Sequence, residues 1–241
     1  MPTSIHIGTS GWSYKHWYGP FYPEDLTFGT ELEFYTKQFN TVEINSTFYH
    51  LPKVTTWQGW TKRTPPNFIF SVKGSRFISH VLKLDNVRDP FSNLISSAKL
   101  LGKKLGPILF QFPDYFRADH DRLQKFCHLD RPNIRLALEF RHPSWFTSKT
   151  YNLLKDVNVA LVIADSPDFP QELKYTADFV YLRLHGSQKF KESKYTQEEL
   201  KTWASKINRW KNKGQDVFIY FNNDSNTHAV ENAKELKELI K

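Results

Sequence analysis

Short apolar runs with the bulk and length of buried strands recur along the chain, separated by segments with apolar residues three and four positions apart. The first run, Ser4 to Thr9, leaves through Thr9-Ser10-Gly11-Trp12-Ser13-Tyr14. Asn40 to Tyr49 forms the second strand and its exit. There Glu43, Asn45 and Thr47 alternate with Val42, Ile44 and Phe48, predicting one polar and one apolar face. Further strands are predicted over Phe68–Lys73, Gly106–Pro113, Ile134–Glu139, Val159–Asp165, Phe179–Gly186 and Gln215–Asp224. Helical spacing covers Glu31–Phe39, Val54–Thr64, Phe91–Lys104, Lys149–Val157 and Thr227–Ile240. Two more helices carry start signals. Asp119 can cap a helix to about His128, and Thr196 with Glu199 three residues on forms a capping box for one to about Lys211. Residues 166–175 hold two prolines and little pattern, so the sixth connection is expected to be a loop, as is the charged stretch 189–194.

Eight strands alternating with helical connections, without hairpin signal, internal repeat or composition break, predict an α/β fold: a single (β/α)₈ barrel over residues 1–241. A doubly wound open sheet is the alternative, but Gly8-Thr9-Ser10-Gly11 after the first strand lacks the full phosphate-binding glycine fingerprint.

In such a barrel, chemistry gathers at the C-terminal ends of the strands. The strand exits here carry polar groups directly after apolar runs, most densely in Glu139-Phe140-Arg141-His142-Pro143. Lys73, Arg76, Arg141 and Arg183 are the candidate anion cradle, because guanidiniums grip phosphate or carboxylate oxygens two at a time. Glu43 and Glu139 are the candidate general bases and His185 a further proton carrier, with Glu43 equally readable as an arginine's structural partner. His142 either touches substrate or orients Glu139 or Arg141. Trp12, Tyr14, Tyr49 and Trp145 are placed to stack on a ring, and Asn45, Gln111, Asn222 and Asn223 complete the candidate substrate contacts.

Composition narrows this only partly. With 39% hydrophobic and 16% aromatic residues the chain can bury a sizeable core, and no apolar run is long enough to span a membrane. A single cysteine, Cys127, excludes an internal disulfide and, with no signal-peptide pattern at the N-terminus, suits the cytoplasm; helical spacing marks it for packing. The net charge of +8 fits a small anionic substrate and also admits a nucleic-acid partner or a metal-assisted nuclease. Its denser groups, Lys103-Lys104 and Lys206 to Lys213, read as solvated helix faces. Glu43, Glu139, Asp165 and His185 are donors of the kind that bind divalent metals, but no tight ligand motif occurs and four cations nearby would oppose one. The oligomeric state is not legible. An enzyme performing isomerisation, lyase chemistry or hydrolysis is the leading expectation, with a non-catalytic binding barrel as a further alternative. Retaining barrel glycosidases carry carboxylates on strands four and seven, where this chain has Gln111 and His185, so that class is not expected.

Several motifs in one order resemble the YecE-like family, a domain of unknown function: Gly8-Thr-Ser-Gly-Trp12-Ser-Tyr14, Glu43-Ile-Asn45-Ser-Thr-Phe-Tyr49, Lys73-Gly-Ser-Arg76-Phe-Ile-Ser-His80, Gln111-Phe-Pro113, Glu139-Phe-Arg141-His142-Pro-Ser-Trp145, Tyr181-Leu-Arg183-Leu-His185-Gly186 and Tyr220-Phe-Asn222-Asn223-Asp224. Ser79 stands where the family pattern has Thr and keeps the hydroxyl. The resemblance covers essentially the whole chain and implies a TIM-like barrel of about this size. It brings no catalytic residues with it.

Overall fold

Successive residues of a strand face opposite ways, and the folded chain sorts the two sets into separate cores. A computed structural model describes residues 3–190 and 192–240. Met1, Pro2, Lys191 and Lys241 lie outside it, Lys191 being part of the charged loop expected over 189–194. The strands are β1 (Ile5–Thr9), β2 (Thr41–Ile44), β3 (Ile69–Lys73), β4 (Leu105–Gln111), β5 (Leu136–Glu139), β6 (Val159–Leu161), β7 (Ile163–Asp165), β8 (Phe179–Leu184) and β9 (Asp216–Phe221). The α-helices are α1 (Glu31–Tyr35), α2 (Val54–Lys62), α3 (Arg88–Ala98), α4 (His120–Cys127), α5 (Ser148–Asp156), α6 (Gln197–Asn212) and α7 (His228–Leu239). The capping box at Thr196 and the Asp119 cap form as the sequence predicts, and the sixth connection, 166–178, carries no helix among the described residues.

All strand pairings are parallel, in the orders β1-β9-β8-β7 and β2-β3-β4-β5-β6. Two seams join these sheets into a TIM-like barrel. At one, the predicted sixth strand runs continuously but breaks its ladder at Val162, pairing first with β5 and then with β8; the Val162 amide still donates to the Leu138 carbonyl at 2.9 Å. At the other, Ser10 and Glu43 form a single bridge, and the Gly11 amide donates to the Glu43 carbonyl at 2.9 Å. The β1–β2 approach needs Gly8, since a Cβ there would lie 2.1 Å from the Thr41 carbonyl oxygen.

Outward-facing Ile7, Val42, Phe70, Ile108, Leu138, Leu182 and Ile219 pack into the large core beneath the helices. Inward-facing Leu109, Ala137, Val162, Phe179, Tyr181, Phe218 and Tyr220 fill the barrel in a smaller one. Here the inward set turns polar toward the C-terminal end. The Tyr220 hydroxyl donates to Ser71 Oγ and lies 2.8 Å from Thr41 Oγ1, while the Tyr181 hydroxyl donates to Glu43 Oε2 at 2.7 Å. Two tyrosine rings thus carry the floor of the barrel up to a charged layer.

Three expectations are corrected. The second strand stops at Ile44 and rolls into a 3₁₀ turn over Ser46–Phe48, so Glu43, Asn45 and Thr47 do not share one strand face. The Thr47 hydroxyl instead donates to the Lys73 carbonyl at 2.6 Å, a side-chain bond that competes with strand pairing. The helix expected over Phe91–Lys104 begins at Arg88 and passes into a 3₁₀ segment at Lys99, interrupted at Gly102, whose φ is +57°. Lys104 is not on a solvated face. It is 8% exposed, and its Nζ donates to the carbonyls of Thr61 and Thr64 and to Thr64 Oγ1 at 2.7, 2.7 and 2.9 Å, closing the end of α2.

Candidate active site

β8 projects Arg183 into the barrel axis from the layer above Tyr181. Its guanidinium is 1% exposed and fully engaged. Nε and Nη2 meet Glu43 Oε2 and Oε1 at 3.0 and 2.8 Å, Nη1 meets Glu139 Oε2 at 2.6 Å, and Nη2 also reaches Ser10 Oγ at 3.2 Å. Glu43 and Glu139, at the ends of β2 and β5, are both completely buried. Ser10 Oγ donates to Glu43 Oε1. Arg141 Nε and Nη2 each lie 2.9 Å from Glu139 Oε1. Two carboxylates and two guanidiniums therefore form one closed ion network across the barrel mouth.

The network fixes its own charge states. Burial alone would raise the Glu43 carboxyl, but Arg183, Lys73 and the Ser10 bond outweigh it and hold it below the usual range. Glu139, buried likewise, is held well below that range by Arg183 and Arg141. Burial would weaken the Arg183 charge, and the two carboxylates reverse this and raise it. His185 is the opposite case: burial lowers it to about 4, only partly offset by Glu139, so the ring is neutral near pH 7. Asn222 Nδ2 lies 3.0 Å from His185 Nδ1, and His185 Nε2 lies 3.6 Å from Glu139 Oε2 and 3.5 Å from Arg183 Nη1.

Beside this network a cavity of about 410 Å³ opens over the β1–β3 side of the mouth. Gly11, Trp12, Ser13 and Tyr14 line it from the β1 exit and Asn45, Ser46, Phe48 and Tyr49 from the β2 exit; Trp60, Lys73, Arg183 and Asn222 complete the wall. Asn45 Nδ2 donates to Ser10 Oγ at 2.9 Å, and its Oδ1 has no partner among the described residues. Lys73, the last residue of β3, holds its Nζ 4.4 Å from the centre of the Phe48 ring. Among the described residues that nitrogen has no hydrogen-bond or ion-pair partner. Burial and Arg183, with Arg141, lower its pKa to about 7 against the opposing pull of Glu43 and Glu139.

The structure divides the residues nominated from sequence. Trp12, Asn45, Tyr49, Lys73, Arg183 and Asn222 line the cavity, and Glu43, Glu139, Arg141 and His185 form the network beneath and beside it. Four cations do not converge as a cradle: Arg183 and Arg141 are held by carboxylates, and Arg76 is exposed on the rim. Gln111 is buried beside Glu139, its register partner, away from the cavity lining. His142 accepts from the Ser144 amide at 3.1 Å and caps the turn Pro143–Trp145, so it orients neither Glu139 nor Arg141. Asn223 is fully buried and ties Ser193 to Asn232 at 3.0 Å each. Trp145 is also fully buried, stacked 4.3 Å from Phe140.

The donors nominated for a metal are likewise committed. Asp165 accepts from Gln171 and Trp203, and Arg183 lies between Glu43 and Glu139. No group of three or more His, Cys, Asp or Glu side chains among the described residues is arranged to hold a metal ion. Phe169 and Phe190 escaped the sequence reading. Their rings lie 4.0 and 5.7 Å from the Arg141 guanidinium and 6.5 and 5.4 Å from the His185 ring. Both sit on unpatterned loops, where an aromatic gives no signal of what it covers. Trp60 was missed because it belongs to a helix face rather than a strand exit.

A family model described as "Protein of unknown function DUF72" matches residues 6–241, and the chain belongs to that family. It is 28% identical to the UPF0759 protein YunF of Bacillus subtilis (strain 168), covering 98% of this chain and 94% of that protein. It is 27% identical to the UPF0759 protein YecE of Escherichia coli (strain K12), covering 86% of this chain and 82% of that protein. Among solved structures, a DUF72 family protein from Thermotoga maritima is similar with a TM-score of 0.87 and 28% identity over 98% of each chain. A D-psicose 3-epimerase is similar in fold alone, with a TM-score of 0.53 and 14% identity over 98% of this chain and 96% of that one. Among the described residues, no helix is long and apolar enough to cross a membrane.

Proposed function

We propose that this chain is an enzyme whose reaction takes place in the cavity above β1, β2 and β3, on a small oxygen-rich substrate, sugar-like or anionic. Lys73 is its proton-handling group. The observation that carries this reading is the Lys73 amine, which faces the cavity over an aromatic floor with no ionic partner among the described residues. A fold gains nothing in stability from a half-buried, unpaired lysine, whereas an amine tuned near neutrality can take and return a proton at working pH. The cavity volume falls in the range of small-molecule sites. Trp12 and Tyr49 offer apolar faces to a ring, and Asn45, whose Oδ1 is buried without a partner among the described residues, lines the same cavity. Glu43 and Glu139, whose carboxylate oxygens are all held by Arg183, Arg141, Ser10 or Tyr181, act as positioning residues that anchor Arg183 and set the potential at Lys73. An anionic group entering the cavity would draw a proton onto Lys73, because the remaining network charges, two negative and two positive, cancel.

A thermal-shift screen of sugars, sugar phosphates and small hydroxy and keto acids tests this. At least one class should stabilise the wild-type chain and lose that effect in Lys73→Met and in Trp12→Ala. The reading fails if no compound's shift depends on these residues.

A further inference from the structure

We infer that Lys73 is a covalent nucleophile, forming a Schiff base with the carbonyl carbon of an aldehyde or ketone substrate bound in the cavity; this rests on the placement of the active site proposed above. The amine sits where a carbonyl carbon can reach it: at the C-terminal end of a barrel strand, on the wall of an open cavity, over the face of Phe48. Its backbone is held from both sides. Thr47 Oγ1 donates to the Lys73 carbonyl at 2.6 Å, and Gly74 lies so close to Phe110 that a Cβ would come within 2.3 Å of that ring. A lysine kept for charge alone needs no such fixing and normally finds a carboxylate. Glu43 and Glu139 are close enough to raise its pKa, yet both are gripped by Arg183 instead of pairing with it. Desolvation together with a neighbouring cation is the arrangement that keeps an amine unprotonated and nucleophilic near neutral pH.

The chemistry balances without a redox partner. The Nζ lone pair adds to the carbonyl carbon and opens the C=O π bond, and an Nζ proton passes to the oxygen to give a carbinolamine. One further proton, supplied as hydronium from bulk solvent through the open cavity mouth, lets that oxygen leave as water while the C=N bond forms. The product is a protonated imine. Its positive charge is felt by Glu43 and Glu139 and opposed by Arg183 and Arg141, and it withdraws electrons from the substrate's adjacent carbon. Isomerisation and carbon–carbon lyase reactions both begin from that state.

Reductive trapping tests the step. The wild-type chain is incubated with dihydroxyacetone phosphate or with glyoxylate near pH 7, treated with borohydride, digested and mapped by mass. The expected result is one secondary-amine adduct per chain, on Lys73, at about tenfold or more over any other lysine. Its rate should rise through a midpoint near pH 7, and the adduct should be absent in Lys73→Met and in Lys73→Arg, which keeps the charge. Adducts spread over exposed lysines and unchanged by these variants overturn the inference. The alcohol analogues glycerol 3-phosphate and glycolate separate the two claims. If they stabilise the wild type but not Lys73→Met while no Lys73 adduct forms, the covalent step is wrong and the cavity reading stands. If neither carbonyl compounds nor alcohols give a Lys73-dependent shift or adduct, both are wrong.

Discussion

Replacing Lys73 by Met should make the protein more stable. The unfolded chain carries this amine near its ordinary value of 10.5, and the folded chain near 7. At about 1.4 kcal/mol for each tenfold change in proton affinity, that difference sets a ceiling of ~5 kcal/mol on the penalty of holding a charged ammonium there. Lys73 is half-buried rather than sealed, and a methionine of similar length fills the space over Phe48, so we expect a gain of about 2–4 kcal/mol at pH 6. The sign follows from proton counting. Between about pH 7 and pH 10.5 the unfolded state binds more protons at this site than the folded state, so wild-type stability at Lys73 rises with pH across that window. Below it the full penalty applies. The advantage of Lys73→Met is therefore largest at or below about pH 7 and shrinks as pH climbs toward 10. Urea unfolding of both proteins at intervals between about pH 6 and pH 10 measures this. An advantage that does not change with pH, or a Met variant less stable than wild type at pH 6, would refute the argument.

Arg183→Met should do the reverse. It leaves Glu43 and Glu139 fully buried without their main partner, a loss of about 3–5 kcal/mol in unfolding experiments at pH 7. In the wild type these carboxyls are lowered, so their contribution is present above their unfolded value of 4.5 and lost as pH falls below it. The variant can protonate them instead, and its deficit should narrow toward pH 4; a deficit equal at both pH values contradicts the network. Lys104→Met removes three hydrogen bonds from the end of α2 and should destabilise by about 1–3 kcal/mol. If Lys104 sat on a solvated face, the change in unfolding midpoint would be negligible.

Much of this protein is determined locally and is therefore legible in its sequence. The apolar runs specify strands because burial on both faces leaves no room for polar side chains, and the caps at Asp119 and Thr196 specify helix starts because their donors and acceptors lie three residues apart. Parallel strands with helical crossovers then put all strand ends on one face, which brought Glu43, Glu139, Arg183 and His185 together. What each group does there was decided by contacts across the barrel. Glu43 and Arg183 lie 140 positions apart, and no spacing rule could reveal that Arg183 is spent on two carboxylates rather than on a substrate. His142 and Lys104 misled for the same reason: a polar side chain near a strand or helix end looks alike whether it meets solvent, substrate or a neighbouring backbone. Lys73 appeared in the sequence as one cation among four. Its loss of solvent, its want of a partner among the described residues and its place on a cavity wall exist only once β2, β3 and β8 meet, because desolvation is a property of the assembled site and not of the residue.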